Sequence, residues 1–183
     1  MSPQSEKVLN CKDQLLLASP LLSGSTFANT VIYITEHSPG GAVGFILNQQ
    51  TGQILRDLET ETDLSSLNTL EVSYGGPVLT DRVGFGCVRK VEDRIEFSGA
   101  LSAPMAAELH LDSNSRLLAL VGHSGWGPLQ LDKEIRQGSW IIASPSVTLL
   151  DEVSGKKAWQ HELRQISSYY ELVSLTPDSP VLN

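Results

Sequence analysis

Between Ala119 and Ile135 the chain reads ALVGHSGWGPLQLDKEI, and an apolar run breaks off at Gly-His-Ser-Gly, as a serine nucleophile elbow begins. An elbow needs small residues two before and two after its serine, because the nucleophile sits on a strained strand-to-helix turn. Gly122 meets the first requirement around Ser124, but Trp126 stands at the second, and the glycines fall at Gly125 and Gly127. Downstream, only His161 could serve as its base. The register is wrong for catalysis. GHSGWGP instead reads as a tight strand-to-helix passage, with Pro128 suited to a first helical turn. Trp126, set between two glycines, must either plug inward against the core or stand on the surface as a recognition anchor.

A second constellation is EHSPGGAVGFILNQ. Glu36 and His37 at a strand end, followed by glycines, could act as an acid–base pair, with glycine-rich amides as an oxyanion site. A phosphate cradle is disfavoured, since the Lys-Ser/Thr of a P-loop is missing. The plainer reading makes Pro39, Gly40 and Gly41 a hairpin turn and Glu36-His37 its polar shoulder. Metal binding would need His37, His123, Cys87 and a carboxylate to converge from distant segments, with no helical i, i+4 ligand pair to support it. No metal site and no cofactor are expected. Cys11 and Cys87 fit no Cys-x-x-Cys pattern and read as two reduced thiols. In YGGPV, Gly75, Gly76 and Pro77 mark a turn where backbone closely approaches something, and the sharper reading lines a shared cleft with it.

These residues must be carried by particular elements. QLLLAS (14–19), VIYITE (31–36), AVGFILN (42–48) and RLLALVG (116–122) are apolar on both faces and read as covered strands. The second and third form one hairpin, and VGFGCVRK with RIEFS forms another. TGQILRDLE places Ile54, Leu55 and Leu58 at the spacing of a short amphipathic helix. SAPMAAELHLD reads as a helix with Ser102 as N-cap and Pro104 in its first turn. LQLDKEIRQ reads as a helix stopped at Gly138. KAWQHELRQI sets Trp159, Leu163 and Ile166 at i, i+4, i+7, and SWIIAS is a last strand. The acidic TETDLSSLNT is the best candidate for a mobile loop, and Asp151-Glu152 and TPDSPVLN read as solvated surface. Hairpins mixed with strand–helix alternation indicate an α+β or mixed α/β fold: a mixed β-sheet with hairpins, flanked by helices.

With 183 residues, the chain reads as a flexible leader over 1–13 and a single domain over 14–183. A net charge of −8, with no basic cluster, argues against direct nucleic-acid binding. The polar start lacks the pattern of a signal peptide, and no apolar run approaches the ~20 residues a membrane helix needs, so no membrane contact and a cytoplasmic location are expected.

Three landmarks in this order, LLLASPLLSGSTFANTVIYITEHSPGGAVGFILNQ, YGGPV and GHSGWGPLQLDKEIRQGSWIIA, resemble the YqgE/AlgH family of bacterial proteins. The resemblance runs from about Leu15 to Ser144 and more weakly beyond. It implies a compact α/β fold with a mixed sheet, a cytoplasmic protein and no established enzymatic activity. Some members carry the label of transcriptional regulator of alginate synthesis, although no DNA-binding motif is visible here. Gln49-Gln50 replace a usual Arg-Pro pair, Asn29 a usual arginine and His123 a usual aromatic. If the family's arginines grip an anion, this member has lost that grip.

The resulting expectation is a binding or regulatory module with an unknown protein or small-molecule partner. The alternatives are an enzyme using Glu36/His37, and a transcriptional regulator that works through a partner rather than by touching DNA. Glu36, His37, Asn48, Gly75, Gly76, Pro77, His123, Ser124, Gly125 and Trp126 are expected around one shallow cleft, with the Glu36-His37 pair within about 15 Å of Trp126.

Overall fold

Leu15–Ala18 (β1), Val31–Ser38 (β2) and Gly41–Ile46 (β3) carry apolar side chains on both faces, so each must be covered twice. The computed structural model, which describes residues 10–22, 24–58, 65–151 and 154–175, shows how. The other strands are Gln50–Ile54 (β4), Glu71–Tyr74 (β5), Val78–Val91 (β6), Arg94–Leu101 (β7), Ser115–Trp126 (β8) and Trp140–Ala143 (β9). The helices are Ala103–His110 (α1), Gln130–Arg136 (α2), Gly155–Ile166 (α3) and Ser168–Leu175 (α4). The mixed sheet runs β4-β5-β8-β3-β2-β1-β9, with β6 joined to β8 and β7, and curls into a half-barrel. Only β5 and β8 run parallel; the remaining pairs are antiparallel. The fold is α+β, as expected.

Alternation along β1 and β2 sorts the core. Leu15, Leu17, Val31 and Tyr33 face Trp159 and Leu163 of α3, whose indole N–H donates to Ala18 O at 2.8 Å. Leu16, Ile32 and Ile34 face the other way, onto Trp126, Leu131 of α2 and Trp140. A third cluster packs Ala106 of α1 on Phe85, Cys87, Leu117 and Ala119.

β8 is the strand on which the sheet turns. Its first half lies between β5 and β6, with Ala119 opposite Val72 and Phe85. Beyond Gly122 it pairs with β3, setting Ser124 opposite Gly44, Gly125 opposite Val43 and Trp126 opposite Ala42. At the crossing, backbone lies on backbone. A Cβ on Gly76 (φ 145°) would sit 2.3 Å from the carbonyl carbon of His123, and one on Gly122 (φ 72°) 2.2 Å from the oxygen of Gly76. Neither contact admits a side chain.

Both hairpins form, turning at Pro39-Gly40 and Glu92-Asp93, and α1, α2 and α3 lie where periodicity and caps place them. Three expectations are corrected. TGQILRDLE is no helix: residues 50–54 pair with β5, and only a 3-10 turn, Leu55–Asp57, follows. A helix this short is marginal alone, and the ladder offers its backbone better partners. GHSGW is no bend either, since β8 runs through Trp126, and the turn comes at 127–129 with Pro128 before α2 and Leu129 at φ 56°. The expected leader joins the fold before residue 14: Cys11 is buried and the Asp13 amide donates to Ile34 O at 2.8 Å. Of the acidic stretch expected to be mobile, 60–64 lie outside the described residues, and Ser65–Leu67 form a 3-10 turn. The C-terminal TPDSPVLN also lies outside them.

Gly76→Ala should cost at least about 3 kcal/mol, because the obstructing atoms are backbone and cannot rotate away. Gly138→Ala, at φ 75° with nothing within 4 Å, should cost only about 1 kcal/mol. Urea unfolding of the two variants measures the difference.

Candidate functional site

One irregularity in β2 decides how the acid–base pair is presented. Ile34 lies opposite Gly44 but Glu36 opposite Val43, so Thr35 is an extra residue, a β-bulge that re-phases the strand. Without it Glu36 would face α2. With it Glu36 is exposed, and the His37 side chain, 1% exposed, turns under the helix. There Nδ1 accepts the Cys11 amide at 3.1 Å, so the ring proton resides on Nε2, which donates to Asp132 Oδ2 of α2 at 3.2 Å. Both ring nitrogens are committed, and neighbouring strand residues point to opposite faces. Glu36 and His37 cannot act on one substrate atom.

His37, Ala42 and Trp126 lie side by side across β2, β3 and β8, two strand spacings or about 10 Å from end to end. Trp126 plugs inward. It is 7% exposed, and its indole N–H donates to Glu134 Oε2 at 2.9 Å. Trp140 donates to the same oxygen at 2.8 Å, and the two rings meet edge to face at 6.0 Å. Gln130 completes the arrangement: its Nε2 donates to Glu134 Oε1, and its Oε1 accepts the Gly127 amide. One carboxylate on α2 therefore pins two strands.

Gly75, Gly76 and Pro77 reach the same neighbourhood. Buried Ser124 donates its hydroxyl to Gly75 O at 3.3 Å, and the Gly75 amide donates to Val121 O. The first hairpin, the Gly75–Pro77 turn and the Ser124–Trp126 end of β8 thus lie together. They meet as closely packed backbone. Half-buried His123 lies beside Phe45 in a tilted contact, with ring centroids 6.3 Å apart. Asn48 does not join them. It sits by Val31, at the other end of β2, accepting the Val31 amide at 2.8 Å and donating to Asn29 O and Gly155 O. It closes the loops around the start of β2.

Asp132 and Glu134, which do most of the binding here, were not among the residues expected around the cleft. The signal was present: on α2 they flank the apolar pair Leu131 and Ile135, as groups beside a buried stripe do when they have indole or imidazole partners. Cys11 likewise contributes its amide and not its thiol. Burial, aided by the nearby Asp132 charge, raises that thiol above its ordinary range and disfavours the reactive thiolate. A further polar cluster lies under α3, where Ser146 and Thr148 donate hydroxyls to buried Glu162. Burial pushes the Glu162 carboxyl up, and the two hydroxyl bonds only partly oppose it. Among the described residues no group of three or more His, Cys, Asp or Glu side chains could hold a metal ion.

The AlgH-like family model matches residues 15–171. A UPF0301 protein of Paraburkholderia phytofirmans is 28% identical over 95% of this chain and 97% of its own length. One from Burkholderia multivorans is 29% identical over 89% and 91%. The solution structure of the AlgH protein from Pseudomonas aeruginosa superposes with a TM-score of 0.64 at 21% identity, covering 98% of this chain and all of that one. A Corynebacterium diphtheriae protein solved by X-ray crystallography gives 0.70 at 23%, over 93% and 95%. At these identities the structures speak for the fold alone.

Glu134→Ala should cost roughly 2–4 kcal/mol by stranding two indole donors, whereas Glu134→Gln, which keeps an acceptor oxygen, should lose far less. Unfolding followed by tryptophan fluorescence reports both. For Glu162, the folded chain holds a proton that the unfolded chain releases above its ordinary value of 4.5. Its contribution to stability is therefore full below that value and lost as pH rises through the raised native value. Glu162→Gln should remove this decline and be no less stable than wild type at neutral pH, as unfolding across a pH series will show.

Proposed function

The chain belongs to the AlgH-like family, and on that premise we propose that it is a cytoplasmic binding module that regulates through a partner and performs no acid–base catalysis of its own. The observation that carries this reading is the disposition of His37. Its ring is buried, both nitrogens are engaged, and Glu36 faces away. A general base must present a free lone pair to a proton within hydrogen-bond reach. The glycine-rich amides offered as an oxyanion site are also occupied, that of Gly75 by Val121 O and that of Gly127 by Gln130. No helix of the described residues is long and apolar enough to cross a membrane.

What the rim leaves outward is apolar and accessible. Pro77 and Gly125 are exposed, Val78 is 39% and Leu79 62% exposed, and Glu36 stands on the same end of the sheet. Val78 lies beside Gly125 of β8, with its methyl 3.8 Å from where a Cβ would stand. An exposed hydrophobic group held on rigid strands suits a protein or small-molecule partner. Net charge −8 opposes a nucleic-acid one, so a regulatory role in transcription would run through the bound partner.

His37→Ala should lower the thermal midpoint by roughly 5–10 °C, as expected for loss of a buried, doubly bonded ring in a domain of this size. Leu79→Arg should leave the midpoint unchanged and abolish retention of the partner recovered with the wild-type chain. A turnover found by substrate screening and lost in a folded His37→Asn protein would replace the binding reading with catalysis.

A further inference from the structure

At the other end of the sheet, among the described residues, β9 pairs with β1 alone, in the register Leu15↔Ala143 to Ala18↔Trp140, and the Ser19 amide donates to Ser139 O. In an antiparallel ladder, bonded pairs alternate. Ile141 and Ala143 therefore turn their N–H and C=O toward β1, as Ser139 turns its carbonyl, and Trp140 and Ile142 turn theirs to the outer edge. Unpaired edges are templates for another strand.

Along this edge runs a groove of about 510 Å³ between β9 and α4, lined by Ile135, Trp140, Ile142, Tyr169, Tyr170 and Val173 among others. Beside it α4 presents Tyr169, Leu172 and Leu175, 67%, 69% and 60% exposed, at i, i+3 and i+6 on one side of the helix. Ile142 is 39% exposed on the strand. These four side chains, each 39–69% exposed, form one apolar face beside the strand edge.

Charge selects the occupant. Across a twofold axis each residue meets its own kind, so a charged strip on a chain of net charge −8 would repel itself. Among the described residues the groove is lined by no charged side chain. The hydrogen-bond phase also suits a second copy. An axis through Ile141 sets Trp140 of one chain opposite Ile142 of the other, twice, and both residues have outward groups to exchange.

We propose that this face is a self-association surface: two copies pair β9 to β9, antiparallel, and extend one sheet across the dimer while their α4 stripes pack together. The proposal concerns a face separate from the rim and does not depend on the partner inferred there.

Light scattering after size exclusion tests it on the full chain. As concentration rises from about 1 to 500 µM, the mass should move from 19.9 kDa toward twice that value. Leu172→Asp places like charges in the α4 contact. Ile142→Pro removes an outward donor without breaking a bond to β1, a position where an edge strand tolerates proline. Each should weaken association at least tenfold and leave the melting of the dilute protein unchanged. Wild type at a single mass throughout, association unaffected by both variants, or a monomer that instead takes up an extended apolar peptide at β9 would each overturn the proposal.

Discussion

The whole sheet depends on a contact that contains no side chain. Where β8 leaves β5 for β3, Gly122 lies against Gly75 and Gly76 so closely that a methyl group on any of them would fall within 2.4 Å of a backbone atom opposite. That approach permits the Gly75 carbonyl to take the Ile46 amide at 2.9 Å and the Ser124 hydroxyl at once. The turn after β5 thereby ties the end of β3 to β8. Two sets of strands, one centred on β6 and the other on β2, become one curved sheet because three glycines remove what would hold them apart.

Around that joint the polar groups are spent on closure. His37 ties β2 to α2 and to the segment before β1, and Glu134 ties α2 to the ends of β8 and β9 through two indoles. Asn48 does the same at the far end of β2. A buried group with every donor and acceptor matched costs little to keep and much to break, which makes it a structural fastening. The residues that most resembled a reactive centre are those fastenings. The apolar groups left exposed are on the surface: Val78 and Leu79 at the rim, and Ile142 of β9 with the outer face of α4.

Much of this was legible in the amino-acid order. Doubly apolar runs announced covered strands, Pro39-Gly40 and Glu92-Asp93 announced hairpins, Ser102 and Gly138 bounded helices, and the glycines of YGG announced close backbone approach. Each is a local rule of sterics or hydrogen bonding that holds wherever the segment ends up. The family could be recognised from the same landmarks in order. The residues at 50–54 failed this reading because a short amphipathic pattern is weaker than a ladder supplied by β5, and that ladder partner lies some twenty residues along the chain.

Local rules do not count residues across a pair of strands. The extra residue at Thr35 is invisible in VIYITEHS, yet it decides that His37 and not Glu36 is buried, and so whether a catalytic pair exists at all. Nor does sequence spacing show that Trp126 and Trp140 share one oxygen of Glu134, or that Asn48 lies a strand's length from the residues it was grouped with. The order of residues determined which segments are strands and where backbone must come close. Register, a property of two chains side by side, belonged to the tertiary structure, because one shifted residue sends every side chain after it to the opposite face.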